Sequence, residues 1–363
     1  MATPITGAIS LDNVNTELGI ASGTTISFND MLFRQLSNQL SGDATLGNAR
    51  AAASVNTSTT NLNIFSTLFA SNATVTSYKV LIRSTSNVNA TSGNTALTVG
   101  QFATGSTITI NNYGGVRAYG GAGGAAGVGT AGGDAINANY ANQTVVINNQ
   151  TGAIIYGGGG GGGRGGTGGT GGTGGGGYYT AYNYAFSTGY PQYFWANYAQ
   201  YWAGDNVSGQ GGYVPGGFVF DDGYGNYYYY IGQAYNVYTS GGAGGAGAAG
   251  GAGGRGQGAD AANAAGSAGG TGTAGSAGGP NAGAGGTGGN GGTGGTGGTY
   301  GNAGATGNTG VTGSTGASGN NGGGAAGATG TVGSAGGAAG RYLVKGANSV
   351  TLNNSGTVAG GLA

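Results

Sequence analysis

Three carboxylates, Asp205, Asp221 and Asp222, lie among dense aromatic residues and are the strongest candidates for chemistry in the chain. Glycosidases cleave sugars with two carboxylates, and aromatic rings stack on sugars, so polysaccharide hydrolysis is one hypothesis. The same residues are common in turns, and "DDGYG" favours a turn. The chain has no His and no Cys, which excludes a Ser-His-Asp triad, a Cys nucleophile and an ordinary zinc site. We therefore predict no enzyme activity, no cofactor and no metal.

The aromatic residues themselves indicate binding. Residues 178–238 are rich in Tyr, contain no Leu, and show no helical or strand period in the run from Tyr227 to Tyr230. Tyr offers rigid contact area, a hydroxyl and a low entropy cost, as at binding surfaces. A second core built on Phe186, Phe194, Trp195, Trp202, Phe218 and Phe220 is the alternative. The predicted binding residues are Tyr182, Tyr184, Tyr190, Tyr193, Trp195, Tyr198, Tyr201, Trp202, Tyr224, Tyr227, Tyr228, Tyr229 and Tyr230.

Glycine dominates the composition, with 95 Gly in 363 residues and only 5% charged residues. Collagen is excluded because the chain has four Pro and its repeat is Gly-Gly-X. Disorder fits poorly with 23 Tyr and a near-neutral charge. No basic cluster indicates nucleic-acid binding, and no apolar stretch is long enough to insert in a membrane. The N-terminus lacks a secretory signal, which predicts a protein made in a cytoplasm.

Residues 1–72 are predicted to form a small mixed module with a docking role. Residues 8–14 and 25–31 each read as a short strand followed by an Asp or Asn that can cap a helix. A helix is predicted after the second piece, with Met31, Leu32, Leu36 and Leu40 on one stripe. Residues 44–50 show a weaker form of the same pattern.

Residues 73–156 are predicted to be rich in β-strand. The pieces 74–84, 95–100, 106–112 and 144–149 are short, β-branched and bounded by Gly, Asn or Ser. A finer signature, an apolar residue, Asn-Asn, a spacer, Gly and then Val or Ile, recurs at residues 109–120, 146–157 and 351–361. Asn and Gly in these units can turn one strand into the next, so stacked units predict a small solenoid-like sheet.

The third copy of this signature lies in residues 341–363, far along the chain from the second. We therefore predict a returning C-terminal β-strand that pairs near the point where the chain left.

Residues 157–177 and 239–340 are built largely from Gly-Gly-X triplets. Their period of three matches a polyproline II helix, whose rise of about 3.1 Å would make the first piece roughly 65 Å long. Such a helix has no internal hydrogen bonds, so its backbone groups need partners in neighbouring strands. The sequence thus predicts a bundle of six or more packed polyglycine II helices, with turns near 257–266, 278–283, 299–302 and 318–323.

A flexible Gly-rich linker is the alternative to this bundle. Ala and Thr recur in register, and the chain returns to a matching strand, which both favour the bundle. The predicted fold class is therefore mostly β plus polyglycine II. The aromatic insert, residues 178–238, is expected at the far end of the bundle, away from both termini.

With these features in place, the sequence resembles the tail-fibre tip adhesins of T-even-like bacteriophages. The resemblance rests on the Gly-rich bundle interrupted by Tyr-rich residues, on "FATGSTITINNYG" at 102–114 and on "GAISLDNVNTELG" at 7–19, which is similar to a module at the start of phage virion proteins. In contrast to those tips, which carry several shorter loops, one long insert dominates here.

The resemblance implies a virion protein that attaches to another tail or fibre protein through residues 1–72 and binds a host surface protein or glycan through the insert. A homo-oligomer is left open. The alternatives are a structural or decoration protein of the virion without a receptor role, and a polysaccharide-degrading spike.

Overall fold

The structure is a computed structural model that describes residues 2–72, 74, 76–188, 213–221 and 227–363, with backbone only for residues 182–234. Its described part is mostly β-sheet with few helices, in agreement with the predicted class. None of the helices described is long and apolar enough to cross a membrane.

The N-terminal residues form two short helices, α1 (Leu11–Glu17) and α2 (Met31–Ser37), and a 3₁₀ turn (Leu46–Ala49). The strands predicted at residues 8–14 and 25–31 are wrong, and α1 occupies part of the first. The reason is a capping box: the Ser10 hydroxyl accepts from the Asn13 N–H while the Asn13 side chain accepts from the Ser10 N–H. At the 3₁₀ turn the Thr45 N–H likewise donates to the Asn48 side chain, at 2.7 Å.

The predicted helix is confirmed as α2, but its buried face differs from the predicted stripe. Phe33 and Leu36 are buried, whereas Met31 is 63% exposed and Leu40 is 50% exposed beyond the helix end. Phe33 and Leu36 pack with Val14 and Leu18 of the α1 region. The two helices therefore share a small core of their own.

Short parallel β-strands recur from residue 52 to residue 156 and again after residue 340. In chain order the first of these strands are β1 (Ala52–Val55), β2 (Thr59–Thr60), β3 (Leu62–Asn63), β4 (Ser77–Ile82), β5 (Asn87–Asn89), β6 (Leu97–Thr98), β7 (Thr107–Asn112), β8 (Gly115–Arg117), β9 (Ile136–Asn137), β10 (Thr144–Asn149) and β11 (Ile154–Tyr156). Four strands that follow the glycine-rich residues are β15 (Arg341–Val344), β16 (Ser349–Asn354), β17 (Thr357–Ala359) and β18 (Gly361–Leu362). A five-residue π-helical turn (Ile64–Leu68) follows β3.

These strands form three five-stranded parallel sheets. The sheet orders are β1-β4-β7-β10-β16, β2-β5-β8-β11-β17 and β3-β6-β9-β15-β18. Consecutive strands therefore visit the three sheets in turn, and each circuit lays one new strand on every sheet. All four predicted strand pieces of residues 73–156 are confirmed, and β1 to β3 show that the sheets begin before residue 72.

Aliphatic residues stack in columns between the three sheets. In one column Val80, Ile110 and Ile147 occupy paired positions of β4, β7 and β10, and each is at most 1% exposed. Leu352 of β16 continues this column and is half-buried. The apolar positions of each strand thus build a continuous core along the stack.

The Asn-Asn signature marks strands that pair in register, as predicted. Asn112, Asn149 and Asn354 face one another on neighbouring strands, and their side-chain amides form a ladder with N···O distances of 2.8 and 2.7 Å. Asn111 and Asn148 form the adjacent ladder with the exposed Asn353, at 2.8 Å for each step. The C-terminal strand therefore returns to pair beside β10.

The glycine-rich residues form six long extended segments between β11 and β15. We number them I (157–176), II (240–257), III (262–278), IV (282–299), V (302–318) and VI (323–340). The turns between II and VI fall at 258–261, 279–281, 300–301 and 319–322, and each overlaps a predicted turn. Two shorter stretches around 119–124 and 128–133 join the same array.

Backbone hydrogen bonds run between the segments with a period of three residues. Gly162, Gly165 and Gly168 of segment I donate to segment II, while Gly163 and Gly166 donate to segment V. Carbonyls of segment I in turn accept from segments IV and VI. Backbone groups at every third position, and at more positions in segment I, therefore bond laterally to neighbouring segments.

Glycine positions follow the number of neighbours that a segment has. Segment V, which has few neighbours, carries one continuous file of Gly, namely Gly304, Gly307, Gly310, Gly313 and Gly316, and a Cβ at any of them would collide with the backbone of segment I. Segment IV carries two such files, one facing segment V and one facing segment II. Segment I is the central segment, and its run Gly157–Gly163 has no side chain at all. Beyond this run, every third residue of segment I has a side chain, first Arg164 and then Thr. The change occurs where the neighbouring short stretch ends, at the hydrogen bond from the Arg164 N–H to the Gly127 carbonyl.

Candidate functional site

The aromatic insert leaves the segment array at the end opposite the three sheets. At the sheet end the Gly157 N–H donates to Ala359 of β17, whereas at the other end the Gly175 N–H donates to Ala317, beside the turn at 319–322. Segment I therefore carries the chain away from the sheets before the insert begins, and segment II carries it back.

Two turns of the array hold the base of the insert. The Asn320 side chain accepts from the Tyr178 N–H at 2.8 Å and donates to the Tyr178 carbonyl at 3.0 Å. Asn281, which adopts a left-handed φ of 58°, donates to the same carbonyl at 3.0 Å. On the returning strand the Thr239 hydroxyl donates to the Pro280 carbonyl at 2.7 Å. Both Asn residues lie in predicted turns, but no pattern in the sequence indicates their contact with the insert.

The insert contains a three-stranded antiparallel sheet in the order β12-β14-β13. Its strands are β12 (Gly177–Thr188), β13 (Tyr213–Asp221) and β14 (Tyr227–Thr239). The run Tyr227–Tyr230 thus lies in a strand, although its sequence shows no strand period. The run lacks alternation in residue type, because aromatic residues occupy both faces of β14, so the usual period-two signal is absent.

Strand register divides the predicted binding residues between two faces, because successive positions of a strand alternate between faces. Tyr182, Tyr184, Tyr228 and Tyr230 occupy one face of the β12–β14 pair. Tyr178, Phe186 and Tyr238 share that face, which we call the aromatic face. The positions of Tyr227 and Tyr229 lie on the opposite face.

The base of the aromatic face is formed by a pair of rings. Tyr178 and Tyr238 are opposite one another, with centroids 6.1 Å apart and planes inclined at 57°. Tyr238 is 68% exposed, which leaves most of its ring accessible to a ligand. Neither residue was among the predicted binding residues, although both lie within the Tyr-rich residues 178–238 and could have been included because of that composition.

Several predictions fall outside the described residues. They concern Tyr190, Tyr193, Trp195, Tyr198, Tyr201, Trp202 and Tyr224, the carboxylates Asp205 and Asp222, and the alternative core residues Phe194, Trp195 and Trp202. Asp221 is the last residue of β13 and pairs in register with Tyr227. The separation of two carboxylates, on which hydrolysis would depend, is thus not part of the described geometry.

Perturbed ionisable groups lie away from the insert in the described part of the chain. Burial raises the pKa of Tyr300, although the charge of Arg117 opposes the shift, and the Tyr300 ring lies 4.9 Å from the Tyr156 ring beside β11. Burial also raises the pKa of Tyr113 next to the helical core. No group of three or more His, Cys, Asp or Glu side chains among the described residues could hold a metal ion.

Comparison with known proteins gives one match. The family model for the phage tail fibre adhesin Gp38 matches residues 50–271, more than half of the chain, and spans strands β1 to β11, the insert, segments I and II and part of segment III. No curated protein and no solved structure matches the chain significantly. This family acts in the virion and binds receptors rather than catalysing a reaction. The chain therefore belongs to the family of phage tail fibre adhesins represented by Gp38.

Proposed function

We propose that this adhesin binds a host cell-surface receptor through the aromatic insert, residues 178–238, held at the end of a rigid glycine-rich bundle. The observation that carries the proposal is the anchoring of β12 to the turns at Asn281 and Asn320, at the end of the array farthest from the sheets. A surface placed there is presented outward on a long stalk. Its Tyr-rich composition is typical of binding surfaces.

The stalk is, in this proposal, a bundle of polyglycine II helices formed by residues 157–177 and 239–340. Support comes from the period of three in the lateral hydrogen bonds and in the Gly files. Because each segment is bonded to at least two neighbours, bending one segment would break bonds along its whole length. Rigidity thus comes from backbone bonding and close approach rather than from an apolar core.

Residues 73–156, together with β1 to β3 and the returning strand in 341–363, act as a solenoid-like base from which the bundle emerges. The support is the order in which consecutive strands visit the three parallel sheets. We assign attachment to another tail or fibre protein to the module of residues 1–72, whose exposed Phe28 and Met31 offer apolar contact area. Such a protein is made in the host cytoplasm and incorporated into the virion.

The experiment replaces residues 178–238 by a short Gly-containing turn in phage particles. We expect particles that assemble normally but no longer adsorb to host cells, because the binding surface is gone while base and bundle remain. Thermal unfolding of the purified variant serves as the control for an intact bundle. Unchanged adsorption would reject the receptor role and leave a structural or decoration protein of the virion.

A polysaccharide-degrading spike is the weaker candidate, and it rests on Asp205, Asp221 and Asp222 among aromatic residues. Incubation of the purified chain with host polysaccharide should release no new reducing ends if the protein only binds. Release that disappears on replacing each Asp by Asn would establish hydrolysis instead.

A further inference from the structure

The distal half of the molecule contains no basic side chain. No Lys or Arg occurs between Arg164 and Arg255, or between Arg255 and Arg341. Arg164 lies near the end of the short stretch at Gly127, and Arg255 forms an ion pair with Asp260 at the turn near the sheets. The insert itself carries three acidic residues and no basic one. An anionic ligand would therefore find no cation to pair with at this end.

The strands that form the aromatic face carry no charge of either sign. Neither β12 nor β14 contains Asp, Glu, Lys or Arg. On the aromatic face Tyr182 pairs in register with Ala234 and Tyr184 with Gly232, whereas Phe186 pairs with Tyr230 and Tyr178 with Tyr238. Aromatic positions therefore recur along the whole length of this face.

Protein–protein interfaces enrich Arg together with Tyr and Trp at their energetic centres. The insert has the aromatic part of that composition without the Arg. Sugar rings suit this composition better, because their C–H faces pack on aromatic rings and their hydroxyls exchange hydrogen bonds with Tyr hydroxyls. A strand of the length of β12 spans about 40 Å, enough for several sugar units in a row.

We propose that the receptor is an uncharged saccharide chain that lies along the aromatic face of β12 and β14. This inference rests on the proposed receptor role of the insert and narrows its ligand from a host protein or glycan to a neutral glycan. Recognition then uses stacking and hydrogen bonds without electrostatic steering. The acidic residues of the insert disfavour polysaccharides that carry phosphate or carboxylate groups.

The test uses the purified full chain, labelled with a fluorophore, and intact host cells. Surface polysaccharide released from these cells is separated on an anion exchanger into an unretained neutral fraction and a retained acidic fraction, and each competes for cell binding. We expect the neutral fraction to reduce the bound chain about tenfold, and the acidic fraction to have little effect. Raising NaCl from about 0.05 M to about 0.5 M should change binding less than about twofold, because no charge pair is screened.

Two treatments of the cells separate the classes of receptor. Periodate, which oxidises sugar diols, should abolish binding, and protease treatment should leave it intact. Binding that survives periodate but not protease, or competition by the acidic fraction alone, would overturn the saccharide inference while leaving receptor binding by the insert in place. Failure of the proposed function itself has a different signature, namely full binding by the chain that lacks residues 178–238.

Matched variants locate the site on the sheet. The double variant Tyr182→Ser with Tyr184→Ser changes the aromatic face, whereas Tyr229→Ser with Tyr235→Ser changes the opposite face of the same strands. We expect a loss of about tenfold or more in affinity for the neutral fraction from the first pair and less than about twofold from the second. Equal losses from both pairs would contradict binding along one face. Tyr182→Phe with Tyr184→Phe, which keeps the rings, should retain most of the affinity and shows that the strands still form.

Discussion

The side-chain amide of Asn149 donates to Asn354 Oδ1 at 2.7 Å although 205 residues separate them in the chain. Asn149 also accepts from Asn112 Nδ2 at 2.8 Å and is 1% exposed. Everything from segment I to segment VI lies between the two strands that this contact joins. The ladder therefore fixes the exit and the return of the glycine-rich array on the same sheet.

Replacing Asn149 by Ala should destabilise the protein, because its two ladder neighbours each lose a hydrogen bond, although Asn112 Nδ2 keeps its bond to the Ile154 carbonyl. A buried polar group left without a hydrogen bond costs about 1–3 kcal/mol. Since Asn354 is exposed, we expect a total loss of about 2–3 kcal/mol in the free energy of unfolding, measured by denaturant titration. Asn353→Ala is the matched control, because this exposed residue is the last member of the adjacent ladder. This substitution should lower the free energy of unfolding by less than about 0.5 kcal/mol. Equal losses would mean that the buried ladder has no special role.

Gly168 is expected to tolerate no side chain, because a Cβ at this position would collide with the Gly289 carbonyl oxygen of segment IV. Gly168→Ala should lower the stability by at least about 2–3 kcal/mol, the cost of overpacking a rigid site, despite the entropy that Ala saves in the unfolded chain. Thr170→Ala lies two residues away at an exposed position and should change stability by less than about 0.5 kcal/mol. Thermal unfolding of both variants measures the contrast. A Gly168→Ala protein as stable as the Thr170→Ala protein would show that the segments can move apart.

Glu17 should make the stability of the N-terminal module depend on pH. Its carboxylate is 3% exposed; burial raises its pKa above the ordinary value of 4.5, although the Ser54 N–H, 2.5 Å from Oε1, favours the charged form. Because the folded-state pKa is raised, the stabilising contribution of the neutral carboxyl is complete below pH 4.5 and is lost as pH rises through the folded-state pKa.

The matched variant is Glu17→Gln, which keeps the shape and the acceptor for Ser54 but does not ionise. We expect the free energy of unfolding of the variant, relative to that of the natural chain, to increase from about pH 4 to about pH 7. Chemical denaturation at several pH values measures this difference. A natural chain that becomes more stable than the variant as pH rises would show that the ionised carboxylate is favoured in the folded state, contrary to the direction of the shift.

Much of the base and the array could be predicted from the sequence, because their signals are local. The Asn-Asn…Gly units mark paired strands, and each turn of the array overlaps a predicted breaker. The run Gly157–Gly163 shows what local signals leave out. Its seven residues lack side chains because the stretches at 119–124 and 128–133 close the last side of segment I there. These two stretches lie in a separate part of the sequence, so no pattern within residues 157–163 indicates that they pack there.

The insert and helix α1 were harder to predict, for different physical reasons. Aromatic residues on both faces of β14 remove the alternation that identifies a strand. In α1, alternation in "AISLDNV" suggested a strand, but the reciprocal hydrogen bonds of Ser10 and Asn13 favour a helix start. Side-chain capping therefore overrides a weak period-two pattern over so few residues.

Asn320 should control how the insert is held rather than how stable the bundle is. Its side chain bonds both the N–H and the carbonyl of Tyr178, at 2.8 and 3.0 Å, and the contact is exposed. Asn320→Ala removes both bonds, which are worth about 0.5–1.5 kcal/mol each, so the base of β12 should open more often. We expect faster amide hydrogen exchange at Tyr178 and its neighbours, a several-fold loss of adsorption and little change in thermal unfolding. Asn321→Ala is the control, because its backbone N–H rather than its side chain bonds Gly176. If both variants adsorb equally well, the orientation of the insert does not depend on this clamp.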